Sequence, residues 1–244
     1  MGETRTSGLL SGLNHLKWRV AYKGVLVGIC AGALSALYRL LIEYGTEQAL
    51  KVYSFLRERP AFLPVWLAAA ALAALAIHLL VKFEPYAKGS GIPQVEGIVL
   101  LGMKIRWYTS LVVRFAAGAL GSLFGLSLGR EGPSIQIGGA AGQAVSKVAR
   151  TNKVEENYLI TAGASAGLAA AFSAPLSGIL FSLEEVHRSF SPNILIAATT
   201  AALTADVVSK VIFGLQPVLH FVEVTALPVG AYLWLLPLGI ACGL

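Results

Sequence analysis

Long apolar blocks separated by short polar segments dominate the chain. These blocks cover residues 20–42, 62–83, 108–128, 135–149, 158–183, 194–213 and 227–244. A helix needs about 20 apolar residues to cross the hydrocarbon core of a bilayer, and several of the blocks reach that length. The block at 135–149 is too short to cross unless its helix begins inside the bilayer. The pattern predicts an all-α polytopic membrane protein.

The composition supports this environment. Hydrophobic residues make up 56% of the 244 residues, charged residues make up 13%, and the mean hydropathy is +0.70. An ordinary soluble domain carries about 25% charged residues. Glycine and alanine are frequent within the blocks, which is typical of helices that pack closely against one another. We therefore expect the lipid bilayer to be a partner of this chain.

The net charge of +6 does not indicate nucleic-acid binding. The basic residues flank the apolar blocks, and they are not interleaved with aromatic residues on one soluble module. Lys17, Arg19 and Lys23 lie at the start of the first block. By the positive-inside rule they predict a cytosolic N-terminal segment over residues 1–19.

Motifs for enzymatic or metal chemistry are missing from the sequence. Cys30 and Cys242 lie in apolar segments without a CxxC spacing, and the four histidines are scattered. A Ser/His/Asp set and a phosphate-binding G-x-x-x-x-G-K-[ST] loop are likewise not found. We predict no enzyme activity, no metal site and no cofactor.

Two glycine-rich stretches share one design, "GSGIPQVEG" at 89–97 and "GREGPSIQIGG" at 129–139. In each, a glycine-rich loop leads to a proline, Pro93 or Pro133, and proline is favoured at the first helical position. Both loops are therefore predicted to end in helix N-termini. Free N–H groups and the positive end of a helix favour an anion, and transporters build anion sites from broken helices in this way.

Two polar side chains on these loops are candidates for function. The carboxylate of Glu131 can occupy an anion site when ionised and leave it when protonated, which would couple anion movement to a proton. The alternative is a structural pair of Arg130 with Glu131, alone or with Glu96. Ser90 can donate its hydroxyl to a small anion, or it can make only a local turn hydrogen bond.

A third stretch, "AGASAGLAAAFSAPLSGILFSLEE" at 162–185, is divided by Pro175 into two predicted half-helices. It ends in Glu184 and Glu185. Helices favour cations at their C-termini, so two adjacent carboxylates there suggest that at least one has another role, such as accepting a proton if it is buried. The alternative is a helix end that reaches the membrane interface.

The three stretches, in this order and at these separations, resemble the CLC family of chloride channels and proton-coupled chloride transporters. The resemblance implies tilted, partly broken helices, with a first inverted repeat over residues 20–226 and the opening helix of an incomplete second repeat over 227–244. It also implies a homodimer with one anion pathway in each subunit. A second-half Gly-x-Phe-x-Pro loop and a late tyrosine of the family are not present. We therefore expect that these residues alone do not close an anion site.

The resemblance also implies roles for individual residues. Glu131 would be the gating glutamate, and Glu185 would be the inner proton-transfer glutamate that exchangers keep. The anion would be bound by the Ser90 hydroxyl and by groups at Gly91, Ile92, Arg130, Glu131 and Gly132. The predicted function is exchange of chloride for protons in the plasma (inner) membrane of a prokaryote. The alternatives are a passive anion channel that uses the same Ser90 and Glu131, and a non-transporting scaffold or inactive half-protein.

Overall fold

The computed structural model describes residues 3–215 and 229–243, which fold into helices joined by short turns. The α-helices are α1 (Glu3–Glu58), α2 (Leu63–Phe83), α3 (Ile92–Leu101), α4 (Trp107–Leu123), α5 (Glu131–Val148), α6 (Lys153–Phe172), α7 (Pro175–Phe181), α8 (Pro192–Phe213) and α9 (Leu235–Gly243). Short 3₁₀ turns lie at Pro60–Phe62, Pro85–Ala87 and Val229–Trp234, and a π-helical turn lies at Ser182–Val186. The described residues include no strand, which confirms the predicted all-α class.

Helices of spanning length coincide with apolar blocks of the sequence. The segments that are long and apolar enough to cross a membrane are Lys17–Glu58, Pro60–Phe83 and Pro192–Phe213. The blocks at 108–128, 135–149 and 158–183 form shorter helices. The predicted boundary between the two repeats, at residues 226 and 227, lies outside the described residues.

The two halves of the third glycine- and alanine-rich stretch are separate helices, as predicted. Helix α6 ends at Phe172, and Ser173 has a positive φ of 53°. Pro175 then begins α7, because proline lacks the N–H that a continuing helix would need. The π-helical turn follows α7 directly and carries Glu184 and Glu185.

Close helix crossings form the core. Helices α5 and α6 cross at Gly138 and Gly163, where a Cβ on either residue would collide with the carbonyl oxygen of the other. Helix α8 packs its buried Ala201 against Gly28 of α1. Small residues let the backbones approach, and this close packing stabilises helix pairs that both lie in lipid. The core thereby fixes the N-terminus of α5, where the candidate site lies.

The prediction that both glycine-rich loops lead into helix N-termini is confirmed. Helix α3 begins at Ile92 and α5 begins at Glu131, so Pro93 is the second residue of its helix and Pro133 is the third residue of its own. Proline is tolerated anywhere in the first turn, because the N–H groups there have no partner within the helix. Glu131 is therefore the first residue of the helix rather than part of the preceding loop.

Candidate anion-binding site

A cavity of about 420 Å³ lies between the loop that precedes α3 and the N-terminus of α5. The first loop contributes Gly89 and Ser90, and the start of α5 contributes Glu131 and Gly132. Side chains from α1, α2 and α4 complete the wall, among them Tyr38, Ile77 and Arg114. The structure thus brings the two glycine-rich stretches of the sequence to one site.

The two loops touch through their backbones. A Cβ on Gly132 would collide with the carbonyl oxygen of Ser90. Gly91 has a positive φ of 94°, and a Cβ there would lie 2.7 Å from Cβ of Gln136 and 3.1 Å from the carbonyl oxygen of Gly132. Glycine is needed at both positions, because a side chain would push the loops apart.

Ser90 makes a local turn contact and also lines the cavity. Its Oγ accepts a hydrogen bond from the backbone N–H of Ile92 at 3.4 Å, which is a local turn contact. Ser90 is nevertheless exposed and lines the cavity. Among the hydrogen bonds of the described residues, its hydroxyl donates to no protein acceptor, so the proton is available to a ligand. The Ile92 side chain packs into the apolar core beneath the loop.

Glu131 and Arg130 point to different partners. The guanidinium Nη1 of Arg130 lies 3.2 Å from Oε1 of Glu43 on α1. Glu131 is exposed at the cavity and has no ion pair among the described residues. Glu96 lies 3.5 Å from Arg188. The alternative interpretation of the sequence was a structural pair of Arg130 with Glu131, alone or with Glu96. The described residues do not form this pair.

Arg114 lines the same cavity, although it was not among the site residues predicted from the sequence. It lies on α4, it is 8% exposed, and it lines the cavity. Its Nε donates to Oε1 of Gln136 at 2.7 Å, and its Nη1 donates to the carbonyl oxygen of Gly89 at 2.7 Å. The signal that could have identified it is a lone basic residue inside the apolar block at 108–128, since ionisable groups at such positions are costly and usually functional.

Gln136 extends this network. Its Nε2 donates to the carbonyl oxygen of Tyr86 at 2.7 Å and to Oγ of Ser110 at 3.0 Å. The Arg114 guanidinium therefore ties α4 and α5 to the loop that carries Ser90.

The charge of Arg114 has no partner of opposite charge among the described residues. All three hydrogen bonds of its guanidinium go to neutral oxygens, and none of the ion pairs within the described residues includes Arg114. Its positive charge acts on the cavity without a protein carboxylate paired to it.

Glu185 lies apart from this cavity. Its side chain is 48% exposed, and its carboxylate lies 3.7 Å from the guanidinium of Arg188. Glu184 is also exposed, so the buried carboxylate considered from the sequence is not found at either position. The neighbouring His187 contacts Oγ1 of Thr161 through Nδ1 at 3.2 Å, and burial lowers the pKa of its imidazole. The neutral imidazole is thereby favoured beside Glu185.

A cluster of three or more His, Cys, Asp or Glu side chains suited to a metal ion does not occur among the described residues. Asp206 and Lys210 form an ion pair within the apolar helix α8, at 2.6 Å. This contact confirms the ion pair that their i, i+4 spacing suggested.

Relatives of this chain are named as exchange transporters. It is 41% identical over 216 residues to an H⁺/Cl⁻ exchange transporter ClcA of Vibrio cholerae, covering 82% of this chain and 44% of the relative. It is 37% identical over 226 residues to the ClcA of Vibrio parahaemolyticus, covering 88% of this chain and 47% of the relative. The chain thus spans somewhat less than half the length of these relatives.

Solved structures show the same fold. The crystal structure of a slow cyanobacterial Cl⁻/H⁺ antiporter superimposes with a TM-score of 0.77 at 28% identity, covering 91% of this chain and 53% of that one. A CLC-type fluoride/proton antiporter superimposes with a TM-score of 0.66 at 25% identity, covering 91% and 54%. The model of the family described as voltage gated chloride channel matches residues 72–244. Because that match covers more than half of the residues, this chain belongs to the voltage-gated chloride channel family, the CLC family that its three motifs resemble.

Proposed function

We propose that the intact protein exchanges chloride for protons across a membrane, and that the cavity beside Ser90 and Glu131 is its anion site. The observation that carries this proposal is Arg114, a buried guanidinium on the cavity with only neutral hydrogen-bond partners among the described residues. A charge held away from water is costly unless an opposite charge accompanies it. A permeant anion in the cavity supplies that opposite charge.

The donors for the anion come from both loops. Ser90 lines the cavity, and its hydroxyl donates to no acceptor within residues 3–215 and 229–243. Backbone N–H groups at Gly91 and at the start of α5 over Arg130, Glu131 and Gly132 complete the proposed ligand set, and Ile92 joins it when its N–H exchanges the 3.4 Å contact with Oγ of Ser90 for the anion. N–H groups of a first helical turn have no intrahelical partner, and the helix dipole adds partial positive charge there.

Glu131 is the proposed gate. Its carboxylate lies at the cavity and at the N-terminus of α5, where the anion itself would be favoured. The ionised side chain therefore competes with the anion for one site, whereas the protonated side chain does not. This competition links entry of the anion to binding of a proton at the same residue.

Glu185 is the proposed inner proton-transfer residue, and it decides between exchange and passive conduction. Its exposed position outside the cavity suits a group that takes protons from water and passes them toward Glu131. A passive anion channel is the second candidate function. The contact of Glu185 with Arg188 favours it, because a solvated ion pair at the end of a helix needs no transport role.

Chloride is the proposed anion because the relatives with 37–41% identity are named for chloride, whereas the fluoride/proton antiporter is 25% identical.

We propose further that the protein is a homodimer in a prokaryotic plasma (inner) membrane with a cytosolic N-terminus. The bacterial relatives support the location, and Lys17, Arg19 and Lys23 at the start of the first apolar block support the orientation. Cross-linking in the membrane tests the dimer.

The test is ion flux in liposomes that contain the intact protein. A chloride gradient should drive protons uphill in the parent, and Glu131→Gln should keep anion flux while proton movement stops, because glutamine imitates the protonated acid. Chloride that moves only downhill in the parent would establish the channel instead. No flux at all would favour the scaffold, and unchanged proton transport in Glu131→Gln would remove Glu131 from the mechanism.

A further inference from the structure

Three charged side chains, Arg39, Glu43 and Arg130, form a cluster, and two of them directly adjoin the cavity-lining residues Tyr38 and Glu131 in sequence. Oε1 of Glu43 accepts a hydrogen bond from Nε of Arg39 at 2.7 Å and another from Nη1 of Arg130 at 3.2 Å. The guanidinium of Arg39 also stacks on the ring of Phe213 at the end of α8, 3.9 Å from the ring centroid. The cluster thus joins α1 and α8 to the N-terminus of α5.

This cluster determines where the Arg130 guanidinium lies. Arg130 directly precedes Glu131, and the nearest carboxylate in sequence is therefore that of Glu131 itself. The structure shows the guanidinium on Glu43 instead, with 25% of the Arg130 side chain exposed. The guanidinium that Glu43 holds forms no ion pair with Glu131.

We infer that Glu43 is a positioning residue for the gate: it holds Arg130 on α1, so that the carboxylate of Glu131 stays free to enter the anion cavity. The inference rests on the proposed role of Glu131. It explains why Arg130, although adjacent in sequence, does not pair with the ionised Glu131 and hold it outside the cavity.

Removing the charge of Glu43 would give the ionised Glu131 a new pairing partner. Arg39 and Arg130 would lose the carboxylate that they share, and Arg130 would turn to the ionised Glu131 beside it. The other titratable groups near the gate, Tyr38 on α1 and Arg114 on α4, stay in place, and α2 contributes the apolar Ile77. The ionised gate then has a partner outside the cavity, so it blocks the anion less.

The experiment compares Glu43→Gln with the parent in liposomes that contain the intact protein. We expect anion flux at neutral pH to rise about two- to fivefold, the range that a partly exposed ion pair produces. Flux should also depend less on pH, and fewer protons should move per anion. The same substitution in a Glu131→Gln background should have no effect, because the gate through which Glu43 acts is then already neutral.

Glu47→Gln is the matched control. Glu47 lies one turn further along α1, its side chain is 62% exposed, and it pairs with Lys51 at 2.7 Å. The Glu47→Gln substitution therefore removes one negative charge from α1 and leaves the partner of Arg130 in place. It should behave as the parent. Glu43→Asp keeps the charge with a shorter reach and should fall between the parent and Glu43→Gln. If Glu43→Gln matches Glu47→Gln, or if its effect persists without Glu131, the inference is wrong.

A structure of the Glu43→Gln variant decides the same question without transport. The Arg130 guanidinium should lie on Glu131 in the variant, and an unmoved Arg130 would overturn the inference. Should the parent carry no anion in exchange for protons, the proposed function fails and this structure still tests the position of Arg130. Thermal unfolding of the variant in detergent separates a folding defect from either result.

Discussion

At the scale of the residue, Arg114 and Glu131 define the candidate site by opposite properties. Arg114 is buried, and its guanidinium donates three hydrogen bonds to neutral oxygens of the described residues, whereas Glu131 is exposed with no ion pair among those residues. The sequence predicts Glu131, because an acid between two glycines in an apolar stretch is conspicuous. Arg114 depends on tertiary contacts, since only the fold brings it to Gly89 and Gln136.

The Arg114→Gln variant should bind chloride about tenfold or more weakly, because it removes the buried charge that the anion offsets. Isothermal titration calorimetry of the purified intact protein measures this. Arg114→Lys is the control, since it keeps the charge while it loses the fork that holds Gly89 and Gln136. Equal affinities of the Gln and Lys variants would show that Arg114 acts through the loop geometry rather than through its charge.

At the scale of the element, the N-terminus of α5 approaches the backbone of the Ser90 loop directly, without side chains in between. The proline in "GREGPSIQIGG" indicates that a helix starts nearby, but not at which residue it starts. That position depends on Gly132, whose lack of a Cβ lets the first turn of α5 meet the Ser90 carbonyl. The contact joins two segments that are separated by the whole of α3 and α4.

Gly132→Ala should destabilise the protein by about 1–3 kcal/mol, as overpacking does in a tightly packed interior, and should abolish most anion flux. Thermal unfolding in detergent and liposome flux measure the two effects. Gly129→Ala is the matched control for stability, because a Cβ on Gly129 would meet nothing within 4 Å. Gly129 also lines the cavity, so the two variants are compared by thermal unfolding rather than by flux, and equal losses of stability would contradict the role of the Gly132 contact.

At the scale of the whole molecule, the candidate gate and the candidate inner glutamate lie on different structural units. Glu131 begins α5 at the cavity, whereas Glu185 lies in the π-helical turn after α7 and is not part of the cavity wall. In the proposed mechanism, proton exchange requires transfer between these two positions, whereas anion movement requires only the position of Glu131. This separation makes the two activities experimentally divisible.

Glu185→Gln should leave chloride movement intact and stop uphill proton transport, because the amide cannot load and release a proton. Liposome measurements of both ions in the intact protein test this. Glu184→Gln, the adjacent carboxylate, should have a much smaller effect. A Glu185→Gln variant that exchanges protons as well as the parent would rule out the inner proton-transfer role and favour the channel.

The class of protein and the two loops of the candidate site can be predicted from the amino-acid pattern alone. Block length and hydropathy predict spanning helices because the thickness of the bilayer sets a minimum apolar length, and glycine with proline marks helix starts through local backbone geometry. The partners of the charged side chains, in contrast, depend on how the helices pack in three dimensions. Arg114 reaches Gln136 over 22 positions, and Arg130 reaches Glu43 over 87. Side-chain pairs at such separations leave no local pattern, because helix packing rather than chain proximity brings them together.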